Sequence, residues 1–140
     1  MPLDYQALLA QLRTDEGLRL SPYLDSVGVW TCAYGHNLTA RPISLAVAEM
    51  LLKDDVDAVL GSLAALPWFA GLSDVRQRVI ANMAFNLGVG GLHSFHDMIA
   101  ALERQDFDRA ADELLASRWA NQVGARAPRL ARMMRTGKAA

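Results

Sequence analysis

The 140-residue sequence contains a single cysteine, Cys32, so it can form no internal disulfide and no cysteine-based zinc site. No stretch approaches the ~18 consecutive apolar residues of a membrane-spanning helix, which predicts no stable insertion into a membrane. The N-terminal segment lacks the basic region, apolar core and cleavage site of a signal peptide, so we expect synthesis in the cytoplasm and export only with outside help. No group of histidines and acids has metal-ligand spacing, and we expect neither a metal nor a cofactor.

Composition predicts a single globular domain, because 52% of the residues are apolar and 21% are charged. The net charge of −1 conceals an asymmetry: residues 1–70 carry eight acids and four bases, whereas residues 71–140 carry seven acids and ten bases. The last 23 residues contain no acid and six bases: Arg118, Arg126, Arg129, Arg132, Arg135 and Lys138. This segment favours an anionic partner, or it is an ordinary solvated helix face with internal ion pairs.

Apolar residues at helical spacing predict that most of the chain is α-helical. The predicted helices cover residues 3–14, 45–66, 74–88, 94–103 and 107–116, followed by a basic helix after Gly124 with Pro128 in its first turn. Ser44 and Ser73 (or Asp74) are N-cap candidates, and Gly88 is a C-cap candidate. Residues 88–91, GVGG, are predicted to form a turn. The 45–66 helix would span roughly 33 Å, long enough to connect two lobes.

One short region cannot be helical. The first helix should end near Ser21-Pro22, because proline disfavours helical geometry in the residue before it. Residues 23–34 are rich in Val, Trp, Thr and Tyr and contain turn residues, which predicts a small β-hairpin followed by a loop at 37–43. The predicted fold class is therefore α+β and mostly α.

Two carboxyl groups flank this change of structure. Glu16 lies at a predicted helix C-terminus beside Asp15, and both disfavour a negative charge on its carboxyl group, although Arg19 could counter them. Asp25 follows in a turn, and Thr31 offers a hydroxyl that could hold a water molecule. Hydrolysis of a glycosidic bond needs one carboxyl group to protonate the leaving oxygen and another to help water attack. Spacing alone equally allows Asp25 and Thr31 to be ordinary turn and strand residues.

The sequence around these residues resembles the active-site segment of the phage lysozymes, the T-even and lambdoid endolysins of glycoside hydrolase family 24. The matching motifs are EGLRL at 16–20, YLD at 23–25, WT at 30–31, YGH at 34–36, AFNLGVGGLHSF at 84–95, SRWANQ at 117–122 and RTG at 135–137. The resemblance covers nearly the whole chain.

The resemblance implies a two-lobed lysozyme fold in a single domain over residues 1–140, with a substrate groove between the lobes. The N-terminal lobe would cover about residues 13–60 and hold the hairpin. The first helix would pack on the helical C-terminal lobe of about residues 61–140, and the long helix would connect the lobes.

The resemblance also implies roles for individual residues. Glu16 would be the general acid, and Asp25 with Thr31 would position or activate water in an inverting mechanism. Three more residues match substrate-binding positions: Asn37, Phe85 and Asn86, although Phe85 on a helix is also a plausible core residue. Supporting ion pairs would join Arg126 to the catalytic glutamate and His36 to Asp55.

Two features depart from the family pattern. Cys32-Ala33 occupies the stretch where relatives usually carry Ile-Gly, so the strand beside Thr31 is expected to be repacked. The loop at 37–43 is short, so part of the rim of the substrate groove is expected to be missing.

We therefore expect a monomeric endolysin that cleaves β-1,4 bonds between N-acetylmuramic acid and N-acetylglucosamine in peptidoglycan. It would stay in the host cytoplasm until lysis and then reach the periplasm and cell wall, by a holin, on host lysis or within a phage particle. Nucleic acid is not expected as a partner, and a zinc amidase is disfavoured by the missing ligand set. The alternatives are a basic helical nucleic-acid-binding module, membrane disruption by the C-terminal segment, and action on chitin-type polymers.

Overall fold

The computed structural model describes residues 2–139. Contacts between backbone positions divide the chain into two compact units, Met1–Met50 and Leu51–Ala140. Each unit is described by itself. Together they contain many helices and one small antiparallel sheet, which confirms the predicted mostly α, α+β class.

The first unit opens with helix α1, Tyr5–Glu16. The Asp4 carboxylate caps it by accepting a 3.0 Å hydrogen bond from the backbone N–H of Ala7. The helix ends at Gly17, whose φ of 70° breaks the helical path. The predicted end near Ser21-Pro22 is therefore wrong by several residues, because the glycine stops the helix before the proline is reached.

A three-stranded antiparallel sheet follows, with strands β1 (Arg19–Leu24), β2 (Trp30–Ala33) and β3 (His36–Asn37) in the order β1-β2-β3. The predicted hairpin is confirmed, but β1 begins earlier than expected and β3 enters the segment predicted as loop. The β1–β2 register shifts between Arg19 and Tyr23. Pro22 lies inside this irregularity, as expected for a residue without an N–H, because proline within sheets is confined to edge strands, strand starts and bulges.

Helix α2, Leu45–Leu63, begins in the first unit and ends in the second. The hydroxyl of Ser44 accepts a 3.2 Å hydrogen bond from the backbone N–H of Val47, which confirms Ser44 as the cap. The helix contains Gly61 and ends three residues earlier than predicted.

The second unit continues with short and medium helices. They are α3 (Pro67–Ala70), α4 (Asp74–Leu87), α5 (Val89–His93), α6 (His96–Glu103), α7 (Phe107–Leu115), α8 (Arg118–Gln122) and α9 (Arg126–Thr136). Helix α4 has the predicted caps, Ser73 and Gly88, and Pro128 lies in the first turn of α9. Helices α3 and α8 were not predicted, and α5 replaces most of the predicted glycine-rich turn, because packing stabilises single turns that propensity alone does not.

The hydrophobic core of the second unit is continuous. Its fully buried large side chains are Leu63, Val79, Ile80, Met83, Leu92, Met98, Leu102, Leu114, Leu130 and Met134. Helix α7 packs on α6 and α9, and α4 also packs on α9. Each such side chain contributes roughly 1.5–3 kcal/mol relative to exposure. The apolar face of the basic helix α9 therefore belongs to this core.

Arg76 fixes the end of α9. Its Nε donates a 2.7 Å hydrogen bond to the carbonyl of Met134, and Nη2 donates at 3.1 Å to that of Arg135. The guanidinium also lies 3.6 Å from the centre of the Phe107 ring. Partial burial lowers the pKa of Arg76 below its usual value, although it remains charged at neutral pH. Carbonyls left without partners at a helix C-terminus are thereby satisfied.

Candidate active site

The carboxyl group of Glu16, at the end of α1, lies against Gly35 in the turn between β2 and β3. A Cβ atom added to Gly35 would lie 3.0 Å from Cδ of Glu16 and would contact Oε2 more closely still. Gly35 also has a φ of 67°, which L side chains rarely adopt. Both the backbone angle and the available space therefore require glycine beside this carboxyl group.

Asp25 organises the turn between β1 and β2. Its Oδ1 accepts hydrogen bonds from the backbone N–H groups of Val27, at 2.9 Å, and Val29, at 2.8 Å. Its own N–H donates to the carbonyl of Val29 at 2.9 Å. Asp25 therefore does stabilise the turn, which was one of the two roles that the sequence left open. Because both side-chain bonds use Oδ1, Oδ2 is the oxygen with which the carboxylate can bind a water molecule.

Thr31 is buried, with 5% of its surface exposed, and its Oγ1 donates a 2.9 Å hydrogen bond to the carbonyl of Val29. Val29 therefore anchors both Asp25, through its N–H, and Thr31, through its carbonyl. Thr31 pairs with Tyr23 across the sheet, and Asp25 follows Tyr23 by two positions. Val29 directly precedes β2, so its bonds to Asp25 and Thr31 hold both side chains at the same end of the sheet.

The residues of β3 hold the loop that follows them. Asn37 Oδ1 accepts hydrogen bonds from the N–H groups of Thr39 at 3.0 Å and Ala40 at 2.8 Å. Nε2 of His36 lies 2.8 Å from the carbonyl oxygen of Arg41. Both side chains thus stabilise the predicted loop, while substrate binding by Asn37 and the pairing of His36 with Asp55 stay predictions.

In the second unit, Phe85 is 45% exposed and is therefore not a core residue. Phe85 and Arg126 line a cavity of about 430 Å³ whose walls are mainly apolar side chains of α2 and α4. Asn86 accepts a 2.8 Å hydrogen bond at Oδ1 from the indole N–H of Trp119. The substrate-binding roles of Phe85 and Asn86, and the pairing of Arg126 with Glu16, stay predictions.

The sequence did not predict three residues that contact the candidate site residues: Gly35, Val29 and Trp119. Gly35 and Trp119 lie in quoted family motifs, but only folding reveals which side chain each one meets. Val29 acts through its backbone N–H and carbonyl groups, which do not depend on the type of side chain, so the sequence gives no signal for this role. Within residues 2–139, no group of three or more His, Cys, Asp or Glu side chains could hold a metal ion. In the same range, no helix is long and apolar enough to cross a membrane.

A small sheet with a carboxylate and a hydroxyl held at one end, and a glutamate at a helix end against its β2–β3 turn, matches the class of lysozyme-like glycoside hydrolases. The phage lysozyme family model matches residues 13–136. The chain belongs to this family, which confirms the resemblance seen in its motifs and makes it a glycoside hydrolase of the lysozyme type.

Three relatives are similar to nearly the whole of this chain. The "Pre-baseplate central spike protein Gp5" of Enterobacteria phage T4 is 26% identical over 94% of this chain, and the match covers 28% of that protein. "Probable T4-type lysozyme 1" of Dictyostelium discoideum is 26% identical, with 90% of this chain and 92% of the relative covered. "Probable T4-type lysozyme 2" of the same organism is 24% identical, with 94% and 95% covered. The chain thus matches nearly the whole length of two probable lysozymes and about a quarter of a larger phage protein.

Proposed function

We propose that the protein is a muramidase that hydrolyses β-1,4 bonds between N-acetylmuramic acid and N-acetylglucosamine in bacterial peptidoglycan. The observation that carries the proposal is the common anchorage of Asp25 and Thr31 on the peptide groups of Val29. That anchorage ties a carboxylate and a hydroxyl to the peptide groups of one residue. Family membership and the Glu16 carboxyl group beside Gly35 supply the remaining parts.

In the proposed reaction, protonated Glu16 gives its proton to the glycosidic oxygen as the bond from that oxygen to the anomeric carbon breaks. A water oxygen bonds to the anomeric carbon, and a proton of that water passes to Asp25. Atoms and charge balance without a cofactor. General acid–base assistance of this kind contributes about 10²–10⁴-fold to the rate.

The hydrogen bond of Thr31 decides how that water is oriented. Its hydroxyl hydrogen is used by the carbonyl of Val29, so Oγ1 offers only lone pairs to a water molecule. A water that donates one hydrogen to Thr31 and the other to Oδ2 of Asp25 keeps its own lone pair free for attack. Two protein acceptors thus align the nucleophile without competing for its lone pair.

A single displacement by water inverts the anomeric carbon, whereas a covalent intermediate retains its configuration. We propose inversion, because the turn hydrogen bonds to Oδ1 hold the Asp25 carboxylate in place, and this suits a group that binds water better than a nucleophile that must bond to the sugar. NMR spectroscopy of a fresh digest distinguishes the two mechanisms. The α-anomer should form first, and first appearance of the β-anomer would show retention.

Glu16→Gln tests the assignment of the acid, with Glu49→Gln as the matched control because it makes the same change at an exposed position of α2 that has no role in the proposed reaction. We expect Glu16→Gln to lower the rate of clearing of a peptidoglycan suspension by at least about 10²-fold, and Glu49→Gln to change it little. New reducing ends on muramic acid should accumulate with the parent protein. Parental clearing by Glu16→Gln, or new free amines in place of reducing ends, would contradict the proposal.

We further propose that the protein acts in host-cell lysis as a monomer. It would remain in the host cytoplasm until a holin or lysis itself gives it access to the periplasm and wall, or it would be delivered in a phage particle. Its expression inside a bacterium should leave growth unchanged until a membrane-permeabilising agent is added, and then cause rapid clearing. Clearing without permeabilisation would contradict this route.

The structure weakens the two alternatives that the basic C-terminal segment suggested. Arg135 is bound to Asp112 at 2.7 Å and approaches Asp108 at 3.5 Å, so part of the positive charge is neutralised within the unit. The apolar side of α9, including Leu130 and Met134, is buried in the core. Insertion of this helix into a membrane would therefore require local unfolding.

A further inference from the structure

A cavity of about 410 Å³ in the second unit takes no part in the proposed chemistry. The lining residues that matter here are Trp68, Leu72, Leu102, Glu103, Gln105 and Phe107. This size falls in the range of small-ligand sites, which combine apolar walls with a few polar groups that fix orientation. We propose that the cavity binds an uncharged N-acetylglucosamine unit of a glycan strand, and the choice of glycan rests on the proposed function.

The aromatic wall of the cavity is held in place. Trp68, on α3, meets the ring of Phe69 edge to face, with ring centres 6.4 Å apart and planes at 87°. Phe69 is 5% exposed, and its carbonyl accepts a 3.1 Å hydrogen bond from Nε2 of Gln77. The Trp68 side chain is therefore pre-organised, which lowers the entropy lost when a ligand binds. A fixed indole offers a flat surface to the apolar face of a pyranose ring.

Gln105 lines the cavity from a backbone position that suits glycine better. The backbone N–H of Gln105 donates to the carbonyl of Leu102 at 3.0 Å. The N–H of Asp106 donates to the carbonyl of Ala101 at 2.8 Å, and these two bonds end helix α6. Gln105 itself has a φ of 59°. Glycine is the usual residue at such a helix end, because it adopts this angle without steric cost. A glutamine here gives a lining residue a side-chain donor and a side-chain acceptor, which glycine would lack.

The charges around the cavity favour a neutral ligand. Among the described residues, the nearby ion pairs join Arg104 to Asp106 and Arg109 to Glu113, and none of them uses Glu103. The free Glu103 carboxylate therefore repels an anionic ligand, such as a muramic acid with an ionised side chain. The Arg76 guanidinium, 3.6 Å from the Phe107 ring centre, disfavours a cation on that ring. Sugar hydroxyl and acetamido groups can still donate to Glu103 and bond to Gln105.

The binding test is an NMR titration of the ¹⁵N-labelled full chain, in the Glu16→Gln background, with the tetramer of N-acetylglucosamine. We expect the indole N–H of Trp68 and the amides of residues 102–107 to shift together along one saturable curve. The experiment needs no catalytic activity, so failure to bind at this cavity can be distinguished from failure of the proposed reaction. No shift in these signals at the solubility limit of the tetramer would overturn the proposal.

Two variants separate binding from folding. Gln105→Gly removes the carboxamide while relieving the backbone, so it should weaken binding about fivefold, as expected for one lost hydrogen bond, without lowering thermal stability. Trp68→Ala should abolish the shifts at 102–107. Trp30→Ala, in the first unit, is the matched control and should leave them unchanged. If both Gln105→Gly and Trp68→Ala bind the tetramer as tightly as the parent does, the assignment is overturned. It is also overturned if a lysine-rich or an acidic peptide binds more tightly than the tetramer, as measured by the same NMR signals.

The activity test uses a protein that retains Glu16. Trp68→Ala should slow the clearing of intact cell walls severalfold while leaving cleavage of short soluble muropeptide oligomers unchanged, because only the polymer can occupy an additional glycan site. Equal rates for parent and variant on intact walls would overturn the role in wall binding.

Discussion

Glu16 and Gly35 are in direct contact: the carboxyl group of the glutamate occupies the space that a side chain on the glycine would fill. The helix end that carries Glu16 thereby rests on the turn between β2 and β3. Gly35→Ala should therefore displace the carboxyl group and also strain the backbone, because φ is 67°. We expect at least a tenfold loss of muramidase activity and about 1–2 kcal/mol of lost stability.

Gly124→Ala is the matched control for this prediction. Gly124 has a similar φ of 59°, but an added Cβ would meet no atom within 4 Å. It should lose similar stability by thermal or urea unfolding and keep its activity under native conditions. Equal activity losses in both variants would show that strain, and not the contact with Glu16, is responsible.

Removal of the Thr31 hydroxyl should impair catalysis more than stability. Thr31→Val keeps the buried shape but leaves the carbonyl of Val29 without this donor, which costs about 1–2 kcal/mol of folding free energy. It also removes the acceptor proposed for the water, so kcat should fall roughly 10–100-fold. Thr31→Ser keeps the hydroxyl and should recover most of the rate. Steady-state kinetics of the two variants gives the answer, and a serine variant as slow as the valine variant would refute this role.

The bond between Trp119 and Asn86 predicts a structural role for Asn86. Trp119 is 4% exposed, so Asn86→Leu would leave its indole N–H buried without a partner and cost about 1–3 kcal/mol. Asn86→Asp keeps the acceptor and should unfold near the parental temperature. If Asn86 also binds substrate through its amide nitrogen, the aspartate variant will show a raised KM with normal stability. An unchanged KM would contradict substrate binding by Asn86 and support only its structural bond to Trp119.

Replacement of Ala33 by glycine should stabilise the protein. The φ of 56° at Ala33 is strained for alanine, and the resemblance places glycine there in relatives. Ala33→Gly should raise the free energy of unfolding by about 0.5–1 kcal/mol, the balance between relieved strain and the greater flexibility of unfolded glycine. Ala58→Gly is the control of opposite sign, because Ala58 is exposed in the interior of α2, where glycine costs roughly 0.5–1 kcal/mol relative to alanine. Chemical denaturation of both variants measures the difference, and a destabilised Ala33→Gly would contradict the argument.

Much of the fold could be predicted because its signals are local. Ser73 and Gly88 delimit α4, and Ser44 starts α2, since a cap acts within one helical turn. The predictions failed where two local signals competed, as at the end of α1, where Gly17 acted before Pro22. They also missed α3, α5 and α8, whose single turns depend on packing against the core.

The sequence by itself determined the helices with strong caps, the hairpin and, through its motifs, the family and the three candidate catalytic residues. Only the tertiary structure decided which atoms meet: Glu16 with Gly35, Asp25 and Thr31 with the two sides of Val29, and Asn86 with Trp119. Capping and periodicity are properties of neighbouring residues and can be read along the chain. Close contacts between distant residues, and hydrogen bonds to peptide groups, arise only when the chain folds back on itself.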